Sequence, residues 1–317
     1  MIKPTLKQQL FINIVELLLR ILPHKYIPKQ NANSFFIKVI KWIQLDSVET
    51  IVTVPSSLLK GTRFELRLKN VIDVSYWLGN YEYAIQSVLS QIFKRGMTVY
   101  DIGSYIGYYS LLFARLGAST VFSFEPDVHN RNCLKRNIEL NNANSRIIIV
   151  PFAVGEKTGE QLFAGGCTGF SHLVPQDSAT DTTDAEAAKI YMNYIENRSE
   201  IQAMRDLVRA SKVGVVRLDD FVYKQKHPAP DLIKIDVEGY EVMVLKGAEK
   251  ILREKRPWVI CEEHTGNPQQ IGRIFAHNDY LLFELKGGIS HFLACPREEK
   301  LPERLLRKQL NQIHVTV

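Results

Sequence analysis

The stretch MTVYDIGSYIGYYSLLFARLGASTVFSFEPD, Met97 to Asp127, sets Asp101, Gly103 and Gly107 in an Asp-x-Gly-x-x-x-Gly pattern and then reaches Glu125. Glycines at a strand-to-helix turn let a ligand approach the backbone. A dinucleotide site would carry G-x-G-x-x-G, with the pyrophosphate resting on the helix N-terminus. Here the third glycine is missing and an acid precedes the turn. A carboxylate in that place repels a pyrophosphate and attracts an ammonium group. The pattern therefore favours a nucleoside cofactor with an α-amino group and no phosphate, which describes S-adenosyl-L-methionine. Glu125 lies about 20 residues past the turn, where an acid accepts from both hydroxyls of a ribose.

A second group of ionisable residues comes later in the chain. Asp236 closes the run DLIKIDV and Glu238 follows it; Glu262 and His264 sit two apart in PWVICEEH and should share a side. With a sulfonium methyl donor, transfer to an alcohol is an in-line displacement that needs an aligned oxygen and a place for its proton. His264 is the better base by solution pKa, and Asp236 serves for a proton lost late. Either is the candidate base, with Glu238 and Glu262 gripping substrate hydroxyls. A structural alternative has Asp236 capping the next helix. Asp236, Glu262 and His264 could also ligate a divalent metal, but no tight ligand spacing supports this and no metal is expected.

The elements that position these residues are legible as alternation. The apolar runs TVYDIG, TVFSFEP, RIIIVPFAV, DLIKIDV, PWVICEEH, YLLFELKG and HFLACP read as strands separated by helical segments. That order implies a doubly wound, mostly parallel α/β sheet. The last two runs pair as a hairpin and leave one antiparallel strand. Upstream, TIVTV and RFELRL alternate as strands, and NYEYAIQSVLSQIFKRG is a helix closed by Gly96. Residues 177–212 show no strand signal and read as a helical insertion, so the division is 1–48 and 49–317.

The net charge of +6 does not belong to the whole chain. Residues 1–45 carry Lys3, Lys7, Arg20, Lys25, Lys29, Lys38 and Lys41 against Glu16 alone, which accounts for the entire excess. The neutral remainder offers no polyanion groove, so no nucleic-acid partner is expected. Two amphipathic helices are expected here. One, TLKQQLFINIVELLLRILP, has a polar stripe of Gln9, Asn13, Glu16 and Arg20; the other is SFFIKVIKWIQL. Neither is apolar enough to span a membrane, and no signal-peptide pattern is visible. They could lie on an anionic membrane, join a homodimer, or pack on the main domain. Cys133, Cys167, Cys261 and Cys295 are sparse, with neither disulfide-framework nor zinc spacing, as expected of reduced thiols in a cytoplasmic protein.

With these residues in view, the chain resembles the FkbM family of S-adenosyl-L-methionine-dependent methyltransferases. WLGNYEYAIQSVLSQIFKRGMTVYDIGSYIGYYSLLFA resembles the family's Gly-x-Tyr-Glu entry into the glycine turn, and LIKIDVEGYEVMVLKGA resembles its Asp-Val-Glu-Gly strand end. RLDDF and EEH follow the order of further family segments, so the resemblance runs from Trp77 to Pro296. It implies a Rossmann-like methyltransferase fold and O-methylation of a sugar, glycolipid or secondary metabolite. Asp101 and the backbone from Gly103 through Ser104 to Gly107 would hold the methionine portion, and Glu125 the ribose. Phe152 and Ala153 would lie against the adenine, with Tyr81 and Glu82 covering the pocket. Ser104 and Tyr105 stand where the family commonly has Ala-Asn. A nicotinamide oxidoreductase of related fold is disfavoured by Asp101. A non-catalytic cofactor-binding module would have no need of Asp236, Glu238, Glu262 and His264 together.

Overall fold

The structure, a computed structural model, describes residues 3–21, 33–165, 172–173, 209–264, 268–286 and 291–313. The chain enters through α1 (Leu6–Ile21) and α2 (Asn33–Trp42), followed by a two-stranded antiparallel pair, β1 (Thr50–Thr53) and β2 (Arg63–Leu66). Next come α3 (Val71–Leu78) and α4 (Tyr83–Ile92). Asn70 and Asp73 form a reciprocal capping box at the start of α3, which ends at Gly79 with φ 72°.

The main sheet begins with β3 (Thr98–Ile102), α5 (Tyr108–Leu116), β4 (Thr120–Phe124), α6 (Val128–Leu140) and β5 (Ile147–Val150). Asp127 caps α6 by accepting from the backbone of His129 and Asn130. The chain then leaves for a small second sheet of β6 (Ala153–Val154), β7 (Gly159–Gly165), β8 (His172–Leu173) and β9 (Arg209–Val216). It returns through β10 (Leu232–Ile235), α7 (Glu241–Gly247), α8 (Glu249–Glu254) and β11 (Trp258–Glu262). It finishes with α9 (Pro268–His277), β12 (Tyr280–Leu285), β13 (His291–Pro296), α10 (Glu303–Lys308) and β14 (Leu310–Ile313).

Eight strands lie in the order β14-β12-β13-β11-β10-β3-β4-β5. From β11 to β5 every pairing is parallel. The expected hairpin of β12 and β13 is present, with β13 reversed beside β11. β14, which no sequence pattern announced, adds a further reversed strand on β12. Chain order turns back between β3 and β10, so their carboxyl ends flank the crevice where such sheets bind ligands.

Three differences from the sequence-based expectation have local causes. RIIIVPFAV is not one strand: Pro151, with no N–H to donate, ends β5, and Ala153 and Val154 pair with β9 in the second sheet. The end of the expected insertion, Arg209 to Lys212, is strand rather than helix, because it pairs antiparallel with β7 from Gly165↔Arg209 to Gly159↔Val215. The rest of that insertion, 177–208, lies outside the described residues. At the N-terminus, Glu16 does not stay on an outward polar stripe: it accepts from the Thr53 backbone and is buried.

Ile12, Val15, Ile40 and Leu45 belong to the same apolar cluster as Val52, Trp77 and Leu112. The amide of Gln8 also donates to the carbonyls of Ile43 and Gln44 at 3.0 and 3.1 Å. One face of α1 is thus core, while Leu6, Leu10, Ile14, Leu17 and Leu18 on the other stay exposed, as does Trp42. Among the described residues no helix is long and apolar enough to cross a membrane.

Among the described glycines, the closest backbone approach is in the turn after β3. Gly103 has φ 81°, and a Cβ there would lie 1.8 Å from the carbonyl oxygen of Asp236. Gly96 has φ 91°, but a Cβ there would meet nothing within 4 Å. Gly96→Ala should therefore cost only backbone strain, about 1 kcal/mol, whereas Gly103→Ala adds a clash between strand ends and should cost well over about 3 kcal/mol. Urea unfolding of the two variants checks this; equal losses would mean that the close approach at Gly103 carries no weight.

Candidate functional site

A cleft opens at the carboxyl ends of β3, β4 and β10. Gly103, Glu125, Phe152, Ala153, Asp236 and Tyr240 are among the residues that line it. Its floor is held by backbone bonds: Gly103 and Ser104 N–H both donate to the Phe124 carbonyl at 3.1 Å, and Asp236 N–H donates to Ile102 at 3.0 Å. Ser104 spends its hydroxyl on the same Phe124 carbonyl, and Gly107 begins α5 at φ 91° against Leu134. These two residues shape the turn and do not form the cleft wall.

Glu125 is buried at the cleft edge. One carboxylate oxygen accepts from Tyr105 N–H at 2.8 Å and the other from Asp127 N–H at 2.9 Å, with the Asn130 amide at 3.4 Å. Burial pushes its pKa up to about 7 despite these bonds. A carboxylate has about four lone-pair sites, so acceptor capacity remains for hydroxyl donors. Phe152 is 40% exposed, with its ring across Gly214 of β9.

Asp101 lies deeper, buried beneath the turn. Ser110 donates to one of its oxygens, and the other has no hydrogen-bond partner. Burial raises its pKa, opposed by the nearby Lys234 ammonium. Lys234 is itself buried, 2.8 Å from Asp236 and 4.5 Å from the centre of the Tyr109 ring. Burial disfavours its charge, but Asp236, Glu82 and Asp101 outweigh that and hold its pKa above the usual lysine value.

Beyond Asp236 the acids gather around two imidazoles. His264 Nδ1 is 2.8 Å from the buried Glu241, and Nε2 is 3.3 Å from Glu262 and 3.8 Å from Glu238. Burial disfavours the imidazolium, yet Glu241, Glu262 and Glu238 together push its pKa to about 11. Asp236 is raised to about 6 and Glu238 to about 7, both chiefly by burial. Glu262 stays well below the usual carboxylate range: burial opposes its charge, but His264 and His291 outweigh it. The structure thus brings Asp236, Glu238, Glu262 and His264 together. Glu238, only two residues beyond Asp236, has a left-handed backbone at φ 51° and lies 3.8 Å from His264. Asp236 does not cap α7, whose N-cap is Tyr240.

Glu82 stands in this acid group rather than on the cleft wall. It precedes α4 at φ 44°, accepts from the Tyr109 hydroxyl and lies 3.5 Å from His291. Sequence reasoning missed His291, Lys234 and Glu241. A lysine inside the apolar run LIKI was a visible signal. His291 carried none, since only the register Glu262↔His291 between β11 and β13 brings it in.

Comparison with known proteins follows the same lines. The family model for the methyltransferase FkbM domain matches residues 101–288. Methyltransferase sdnD of Sordaria araneosa is 30% identical over 166 residues, 48% of this chain and 60% of that protein. The hexuronic acid methyltransferase AglP of Haloferax volcanii is 23% identical over 179 residues, 56% of this chain and 61% of that protein. The chain thus spans about six-tenths of the curated relatives it matches. The crystal structure of an FkbM methyltransferase from Methylobacillus flagellatus KT superposes with a TM-score of 0.42 at 20% identity, covering 65% of this chain and 47% of that one.

The ionisation of Glu125 makes the cleft testable with a nucleoside. Hydroxyls of a ribose placed here would donate to the carboxylate, and so would bind the anion and compete with the proton. Adenosine affinity should be level above about pH 8 and fall by up to about tenfold per unit below the Glu125 pKa near 7. Glu125→Gln should flatten the profile at the weaker level. An unchanged affinity in that variant, measured by calorimetry, would remove Glu125 from the ribose.

Proposed function

This chain belongs to the FkbM methyltransferase family, and from that premise we propose that it transfers a methyl group from S-adenosyl-L-methionine to a hydroxyl of a sugar, glycolipid or secondary metabolite. One observation carries the reading. Asp236 both lines the cleft and reaches the acid group, so a single side chain joins the cofactor side to the acceptor side.

The residues present fit the cofactor. Glu125 retains acceptor capacity at the cleft edge, Phe152 and Ala153 offer an apolar wall for the adenine, and Gly103, which has no side chain, lines the end nearest Asp236 where the methionine portion would lie. Asp101 keeps one oxygen without a hydrogen bond, the acceptor available to the methionine ammonium. When bound, S-adenosyl-L-methionine supplies an electrophilic methyl on a sulfonium.

Asp236 is the better base of the two candidates. Lys234 holds one of its oxygens at 2.8 Å, which orients the carboxylate and leaves the other oxygen for a hydroxyl proton. Both nitrogens of His264 already face carboxylates, Glu241 and Glu262. His264 therefore acts as a positive anchor that spaces Glu238 and Glu262 for gripping the acceptor's other hydroxyls. An acceptor rich in hydroxyl donors suits a rim of carboxylates. The hexuronic acid methyltransferase of Haloferax volcanii carries in its name an acceptor of that chemical kind.

We also infer that the outer face of α1 docks on an anionic membrane surface. Leu6 (88% exposed), Leu10, Ile14, Leu17 and Leu18 form an apolar stripe, with Trp42 (83% exposed) on α2, Lys7, Lys38 and Lys41 exposed on the same two helices and Lys3 exposed just before the first. Each lysine near such a surface contributes about 1 kcal/mol.

Two experiments test these readings. Asp236→Asn should lower transfer of radiolabelled methyl to acceptors in a glycan and metabolite extract by about 10²–10⁴-fold, with S-adenosylhomocysteine affinity changed far less. Binding of a dinucleotide instead would favour an oxidoreductase, and cofactor binding without any labelled product would favour a binding module. For the membrane, the full chain should sediment with phosphatidylserine vesicles at low salt, and the Leu10→Ser, Leu17→Ser double variant should not. A full chain that ignores vesicles sinks the membrane reading; a dimer broken by the same substitutions would assign that face to a second copy.

A further inference from the structure

Glu82, Glu262 and His291 converge from three separate elements. His291 opens β13 directly opposite Glu262 at the end of β11, and Glu82 reaches in from the start of α4. His291 Nε2 lies 3.2 Å from Glu262 Oε2 and 3.5 Å from Glu82 Oε1. Its side chain is only 4% exposed, yet Nδ1 has no partner and Nε2 faces both carboxylates at ion-pair distance without a well-aligned hydrogen bond. A buried imidazole left this way is rare, and each such group in a native fold points to something that satisfies it.

The spacing says what that is. Donor atoms about 2.1 Å from one ion stand about 3.0 Å apart at octahedral angles and about 3.4 Å apart at tetrahedral ones. The two distances from His291 bracket the latter value, and all three candidate atoms lie within 4.8 Å of one another. The charge balance agrees. Glu82, Asp101, Asp236, Glu238, Glu241 and Glu262 surround three cationic side chains at most, Lys234, His264 and His291. Buried carboxylates in excess are costly unless a proton or a cation joins them.

The geometry points to a divalent transition-metal site formed by Glu82, Glu262 and His291, of the class that takes Mn²⁺ or Zn²⁺. Two carboxylates and one imidazole suit those ions. The Tyr109 hydroxyl on Glu82 and the His264 ring on Glu262 supply the outer hydrogen bonds and contacts that orient such ligands. Three protein ligands leave coordination positions open for solvent or for an oxygen of the acceptor. That last use rests on the methyl-transfer reading; binding of the ion does not.

The test is binding alone, on the full chain without cofactor. Titration with Mn²⁺, followed by the paramagnetic resonance of the free ion, should show one retained equivalent that Zn²⁺ displaces. The bound ion should show coupling to one imidazole nitrogen. Glu82→Gln and His291→Ala should each weaken retention at least tenfold, and His291→Ala should remove the coupling. Glu82→Gln preserves shape, so a folding defect in His291→Ala leaves the test standing. No retained equivalent in the unmodified chain, or retention unchanged in Glu82→Gln, overturns the site. Coupling that disappears in His264→Gln but survives His291→Ala would put the ion on Asp236, Glu262 and His264 and overturn this assignment too.

Discussion

An ammonium group in the middle of a sheet is the constraint around which this site is arranged. Lys234 sits on β10 between β3 and β11, where a charge without partners would cost several kcal/mol. Asp236 at 2.8 Å, the neighbouring Asp101 and Glu82, and the face of Tyr109 offset that cost. Each partner comes from a different part of the chain: the ends of β3 and β10, the start of α4, and α5. Satisfying one lysine therefore fixes the relative positions of four elements. The cleft and the acid group both inherit their geometry from it.

Two halves of the site share this frame without sharing most of their residues. On the cleft side the work is done by backbone, with Gly103 pressed on the Asp236 carbonyl and Glu125 tied to the turn through Tyr105 N–H. On the acid side it is done by side chains, where His264 is clamped by Glu241 and draws in Glu238 and Glu262. Asp236 is the hinge between them. Its two oxygens are inequivalent, since only one of them accepts from Lys234.

The sequence was informative where chemistry is local and silent where it depends on register. Apolar runs alternating with helices were enough to expose the parallel core, and Asp-x-Gly-x-x-x-Gly with Glu125 marked the cleft, because turn, strand end and acid lie within one βαβ unit. Glu262 and His264 could be placed on one side from their spacing alone. His291 could not, since its neighbours come from a reversed strand whose partner no short motif predicts. Glu82 was visible but was assigned to the cofactor, because its approach to His291 depends on a left-handed residue at the start of α4. Pro151 was a break in plain view inside RIIIVPFAV, and a stricter reading of proline in strands would have split that run.

β7 pairs with β8 on one edge and with β9 on the other, from Gly159↔Val215 to Gly165↔Arg209, so the chain leaves the second sheet after Leu173 and rejoins it at Arg209 across β7. The segment 174–208 is therefore closed at its base by paired strands, and lengthening or shortening it adds little closure entropy. Phe163 of β7 and Leu173 of β8 meanwhile contribute to the cleft wall. A lineage can change the length of this segment while the pairing of the sheet beneath it stays as it is. The small sheet works as a socket, and diversification in such a protein would be expected to concentrate there while the strand ends beneath it stay as they are.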